Sequence, residues 1–73
     1  MSNIEIKKYL VFKDGTYKIF DTGAIHAFQT GGREVESAGF VDMADGKPIR
    51  CWGGSTTLGI GSQPHNDLRK LTQ

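Results

Sequence analysis

The chain has 73 residues, a formal net charge of +1 and a single cysteine. That length makes one domain, residues 1–73, near the lower limit for a chain that folds alone. One cysteine excludes an intrachain disulfide, and the near-zero charge excludes a strong general attraction to nucleic acid or to an anionic membrane.

No apolar stretch approaches the ~20 residues of a membrane span. The segment Met1–Lys7 lacks the apolar region of a signal peptide. With the lone cysteine, these features point to the cytoplasm, and the size suits a phage or mobile-element product. Cys51, His26 and His65 are scattered, without the close ligand spacing of a structural zinc site. No metal and no cofactor is expected. A core this small contributes only ~3–5 kcal/mol of net stability, which favours self-association.

In chain order, residues 4–13 read as a strand. Ile4, Ile6, Leu10 and Phe12 lie on one side with Lys8; Glu5, Lys7, Tyr9, Val11 and Lys13 lie on the other. Asp14-Gly15 follows as a hairpin signal, because Asp-Gly accepts the positive φ of a two-residue turn. That turn length would place Phe12 opposite Tyr17, Leu10 opposite Ile19, Val11 opposite Lys18 and Tyr9 opposite Phe20. Residues 24–32 read as a short helix capped by Thr22, with Ile25 and Phe28 on one side and Gly31 at the C-terminal left-handed position. A third strand is the rival reading there.

Residues 37–43 read as the next strand, and Asp45-Gly46 as a second Asp-Gly turn. Residues 48–52 return as a strand, with Pro48 at its start or on an edge because it lacks an N–H. The expected register sets Phe40 against Cys51 and Val41 against Arg50. Gly53-Gly54 reads either as a tight turn or, preferred here, as a kink in one long strand running through Ile60. The tail Ser62–Leu71 reads as a short helix. Pro64 and Asp67 suit its start, Arg69 and Lys70 suit its end, and Leu68 and Leu71 give a narrow apolar stripe that must dock.

Three groups of residues are candidate sites. Gly53, Gly54, Ser55, Thr56, Thr57 and Ser62 form a glycine-hydroxyl run in which uncovered backbone N–H groups suit a small molecule or anion. The run matches neither the P-loop pattern nor G-x-G-x-x-G, and strand bending explains its glycines equally well. Lys7, Lys13 and Lys18, interleaved with Tyr9 and Phe20, resemble a stacking platform for single-stranded nucleic acid. Tyr9, Phe20 and Trp52 are the aromatic anchors expected of a protein–protein contact.

Cys51 has no local base to activate it and reads as a buried, inert thiol. Glu34, Glu36, Asp42 and Asp45 read as solvated rather than as an acid/base pair. No catalytic residue is assigned. The expected fold is α+β: a four- or five-stranded, mostly antiparallel sheet of two Asp-Gly hairpins, a short middle helix and a short C-terminal helix. A small open barrel is the alternative. The expected function is a non-enzymatic binding or adaptor protein acting through protein–protein contacts as a homo-oligomer.

Overall fold

The computed structural model describes residues 3–72. Strands β1 (Ile4–Phe12), β2 (Tyr17–Phe20), β3 (Val35–Ala44) and β4 (Lys47–Trp52) form one antiparallel sheet in the order β2-β1-β3-β4. Strands β5 (Gly54–Ser55) and β6 (Ile60–Gly61) make a separate two-stranded ribbon. A 3-10 turn (His26–Gln29) follows β2, and helix α1 (Pro64–Leu71) ends the chain. This is the expected α+β class with an open sheet: β2 and β4 are its edges and do not meet.

The first hairpin forms where Asp14-Gly15 predicts it, but its loop is one residue longer than expected. The Phe12 N–H donates to Thr16 O at 2.8 Å and the Gly15 N–H to Phe12 O at 3.0 Å, so the loop is Lys13-Asp14-Gly15. Gly15 holds φ at +92°, the left-handed residue that closes a three-residue hairpin. The Asp14 carboxylate accepts from both the N–H and the hydroxyl of Thr16, at 2.9 and 2.6 Å, and fixes this geometry. Tyr9 therefore pairs with Ile19 and Lys8 with Phe20, against the expected Tyr9–Phe20 pairing. A one-residue slip moves every side chain of β2 to the opposite face.

Both faces of the sheet are covered around the second half of β1. On the helix face, Tyr9, Val11, Val41 and Cys51 pack under Leu71, with Ile19, Met43 and Leu68 around them. On the opposite face, Leu10, Phe12 and Ala38 pack against Phe20, Val35 and two residues of the ribbon region, Leu58 and Ile60. Four consecutive residues of β1, Tyr9 to Phe12, are consequently buried. Fully burying a side chain of this class contributes ~1.5–3 kcal/mol, so this short run is the axis of the fold.

In the second hairpin the Asp-Gly prediction holds in full. Asp45 and Gly46 take φ of +53° and +77°, and Ala44 pairs with Lys47 across a two-residue loop. The register then shifts by one between Met43 and Asp42, because Ile49 is an extra residue in β4. Phe40 thus faces Trp52 and Val41 faces Cys51, which corrects the Phe40–Cys51 and Val41–Arg50 expectation. Pro48 sits on the edge strand, where a missing N–H costs no sheet bond.

The long kinked strand does not form. Gly53 takes φ of +73° and ends β4, and the chain folds back as the ribbon, pairing Gly54 with Gly61 and Ser55 with Ile60. A two-residue Gly53-Gly54 turn does not form either. The middle helix is a single 3-10 turn entered through Ile25 with no side-chain cap, so Thr22 does not cap it; Gly31 is left-handed as expected, at φ +60°. Helix α1 begins at Pro64 and docks through Leu68 and Leu71.

Candidate interaction surface

Asp67 is the one charged side chain of α1 that the core takes in, with 1% of its surface exposed. It accepts from the Tyr9 hydroxyl, from Ser37 Oγ at 2.5 Å and from the Gln63 N–H at 2.8 Å. Burial pushes the Tyr9 hydroxyl far above its ordinary range, and Asp67 adds to the shift. Burial, with Asp67 beside it, also raises the Cys51 thiol to about 11. The cysteine is therefore held as the unreactive thiol, as its surroundings in the sequence imply. Each of these polar groups has a structural partner, so the cluster is a fastening of β1 and β3 to α1. Nothing in the composition pattern marked Asp67 or Ser37 for burial; Asp67 reads as an ordinary first-turn acid.

The opposite face carries a row of rings. Phe20 meets His26 edge-on, with centroids 5.4 Å apart, and His26 meets Phe40 at 6.1 Å. Phe40 stacks on Trp52 at 4.8 Å with the planes 22° apart. His26 is buried, its Nε2 is 3.0 Å from Gly39 O, and burial lowers its pKa. Cys51 and His26 lie in the cores on opposite sides of the sheet and are not a nucleophile–base pair.

Trp52 is held at both ends. Its Nε1–H donates to Asp42 Oδ1 at 2.8 Å while its ring lies on Phe40. The other oxygen of Asp42 accepts from Arg50 at 3.1 Å, and the Arg50 guanidinium sits 5.7 Å from the Trp52 ring. Asp42 is thus mostly covered, which corrects its reading as a solvated acid. Beyond this cluster the sheet face is open. Ile4 and Ile6 share the face of Lys8, Phe40 and Asp42 through the β1–β3 register and are 61% and 50% exposed. Ile25, which leads into the 3-10 turn, and Phe28, within it, are also exposed, Phe28 by 79%. A hollow of about 160 Å³ is lined by Lys8, Ile25, His26, Phe40, Gly54, Thr56 and Thr57.

The aromatic anchors divide. Phe20 and Trp52 are half-buried on this face and joined through His26 and Phe40. Tyr9 is on the helix face with none of its surface exposed, so it anchors the core and no partner. The same burial dismantles the nucleic-acid platform. Lys7 is on the helix face, ion-paired to Asp21 at 2.5 Å; Lys13 is in the hairpin loop; Lys18 is on the opposite face beside Leu10.

The glycine-hydroxyl run is mostly frame. Ser55 is buried, and its Oγ takes the Leu58 N–H at 3.2 Å and meets Thr57 Oγ1 at 3.1 Å inside the ribbon loop. Gly53 and Ser62 are tied together by the Ser62 N–H, which donates to Gly53 O at 3.0 Å. Of the run, only Gly54, Thr56 and Thr57 reach the hollow. Among the described residues, no group of three or more His, Cys, Asp or Glu side chains is placed to hold a metal ion. Among the described residues, no helix is long and apolar enough to cross a membrane.

No protein-family model matches this chain, and comparison with curated proteins and with solved structures likewise gave no match.

Proposed function

We propose that this chain is a small, non-enzymatic cytoplasmic binding protein that works through protein–protein contact, using the open sheet face around Trp52. The supporting observation is a fixed aromatic on a sheet face that also exposes isoleucines. Trp52 is pinned by Asp42 and stacked on Phe40, so little side-chain entropy remains to be lost on binding. Ile4 and Ile6 are exposed on the same face of the sheet, and Ile25 and Phe28 are exposed on the segment that follows β2. A rigid aromatic amid aliphatic contacts, with Arg50 and Asp42 at the rim, is the composition of an interface hot spot. The non-enzymatic reading is supported by the burial of Cys51 and His26 in separate cores.

The test compares wild type with Trp52→Ala and Phe28→Ala. Sedimentation to millimolar concentration reports self-association, and affinity capture from the native host reports other partners. Far-UV circular dichroism checks that each variant keeps its fold. The expected result is a discrete partner that binds both variants less well than wild type. Capture profiles that do not differ between wild type and variants overturn the proposal.

A further inference from the structure

The backbone beside that face identifies one occupant. Strand β2 pairs with β1 only from Lys8 to Val11, so the outer edge of Ile4–Lys7 carries no strand among the described residues. The direction of each backbone group follows from the ladder. The Phe12 N–H points to β2 and the Lys13 N–H points to β3, where it meets Glu34 O at 3.0 Å. Alternation along β1 then aims the N–H and C=O of Ile6 and Ile4 at the open edge. Four hydrogen-bonding groups and two exposed isoleucines are therefore presented along one short edge. The β4 edge of the sheet differs: it carries Lys47, Pro48, Arg50 and the bulge at Ile49, devices that oppose edge pairing.

We propose that the Ile4–Lys7 edge pairs antiparallel with the same edge of a second copy of this chain, with Glu5 on the two-fold axis. This deepens the protein–protein reading above and rests on it. The register follows from two constraints. Only registers that oppose residues of the same parity keep the isoleucines of both copies on one face. A two-fold axis at Ile6 would bring Ile4 against the partner's Lys8, a place Phe20 of β2 already fills. An axis at Ile4 sets only Ile4 against Ile4 and gives Ile6 no isoleucine opposite it. An axis at Glu5 sets Ile4 against Ile6 of the other copy twice over, and satisfies all four outward groups in two hydrogen-bonded pairs.

On the helix face this register brings Glu5 against Glu5, with Lys7 of each copy on the diagonal. Within one chain Lys7 Nζ already lies 3.7 Å from Glu5. The four charges alternate in sign around the axis, which offsets the like-charged pair. The two sheets become one eight-stranded sheet, and the Trp52 clusters of both copies lie on the same side of it. Symmetric, self-complementary contacts of this kind are the commonest route to a homodimer.

The experiment combines sedimentation with a register-specific cross-link. Wild type is expected to be a concentration-dependent dimer. Glu5 opposite Glu5 is a non-hydrogen-bonded pair with Cα atoms about 4.5 Å apart, within disulfide range. Glu5→Cys is therefore expected to form a disulfide dimer on mild oxidation, and Ile4→Cys and Ile6→Cys are expected to do so far less. Ile6→Lys is expected to weaken the dimer by at least tenfold. Trp52→Ala, remote from the edge, is expected to leave it intact. A monomeric wild type, or cross-linking that favours Ile4→Cys or Ile6→Cys over Glu5→Cys, overturns the proposal. A dimer lost in Trp52→Ala and kept in Ile6→Lys overturns the edge pairing and leaves the Trp52 surface reading standing.

Discussion

The Tyr9 hydroxyl donates to Asp67 Oδ2, joining the second half of β1 to the C-terminal helix across 58 positions of sequence. Both residues are buried, and Ser37 of β3 and the Gln63 N–H complete the acceptor's partners. Asp67→Ala leaves these donors without an acceptor, and each unsatisfied buried polar group costs about 1–3 kcal/mol. In a domain with only ~3–5 kcal/mol from its core, Asp67→Ala is expected to be largely unfolded. Tyr9→Phe removes one donor and is expected to cost about 1–3 kcal/mol. Urea denaturation midpoints check both. An Asp67→Ala variant as stable as wild type would refute the fastening role.

Alkaline pH is expected to unfold the protein cooperatively. The Cys51 thiol is raised from 9.0 to about 11 and the Tyr9 hydroxyl is raised further, both chiefly by burial. A group whose folded pKa is raised stabilises the fold fully below its unfolded pKa, and that stability is lost as pH rises above it. The loss therefore begins near pH 9 with Cys51 and steepens above pH 10 with Tyr9, at up to about 1.4 kcal/mol per pH unit for each group. Absorbance of one of the two tyrosines as tyrosinate should appear together with loss of the circular dichroism signal. Ionisation of both tyrosines with the fold intact would contradict this.

On the acid side His26 sets a milder limit. Burial among Phe20 and Phe40 lowers its pKa, and Lys8 adds to the lowering. For a lowered pKa the stability is present above the unfolded value and is lost as pH falls below it, from about pH 6.5 downward. Substitution His26→Gln, which keeps a donor for Gly39 O, is expected to flatten the stability profile between pH 7 and 5. Thermal midpoints across that range measure it.

Gly39 is required by a close approach. A Cβ there would lie 2.5 Å from Trp52 O and 3.2 Å from the Ser62 Cβ, and the first of these is backbone that cannot swing away. Gly39→Ala is expected to destabilise by about 1–3 kcal/mol, as overpacked sites do. It should also displace Trp52, read as a shifted fluorescence maximum. An unchanged melting temperature would show that β3 and β4 separate more easily than their geometry implies.

Asp42 is expected to control the setting of Trp52. Asp42→Ala removes the acceptor of the indole N–H and the partner of Arg50, at a cost of about 1 kcal/mol. The free indole should emit further to the red and be quenched more readily by iodide. Asp42→Asn keeps an acceptor and should leave emission near that of wild type. Equal quenching in both variants would mean that stacking on Phe40 alone positions the ring.

Both Asp-Gly turns, the edge position of Pro48, the left-handed Gly31 and the docked C-terminal helix were legible in the sequence, because each depends on a local backbone preference. The facing of the strands was not. A loop of three residues at Lys13-Asp14-Gly15 and one extra residue at Ile49 each shift pairing by a single position. No local preference distinguishes the pairings on either side of such a shift, yet it decides which face a side chain joins. The candidate surface was half legible for the same reason: Phe20 and Trp52 lie on it, and Tyr9 moved into the core.

The amino-acid sequence by itself determined the two Asp-Gly reversals, the strands on either side of them and the C-terminal helix. Tertiary structure alone decided that the second half of β1 is covered on both faces, so that Tyr9 and Asp67 are core while Ile4 and Ile6 stay exposed on the face of the half-buried Phe40 and Trp52. The division has a physical cause. Turn geometry is fixed by two or three neighbouring residues, whereas burial of a carboxyl group requires donors brought from Tyr9 and Ser37, which only the completed sheet places beside the helix.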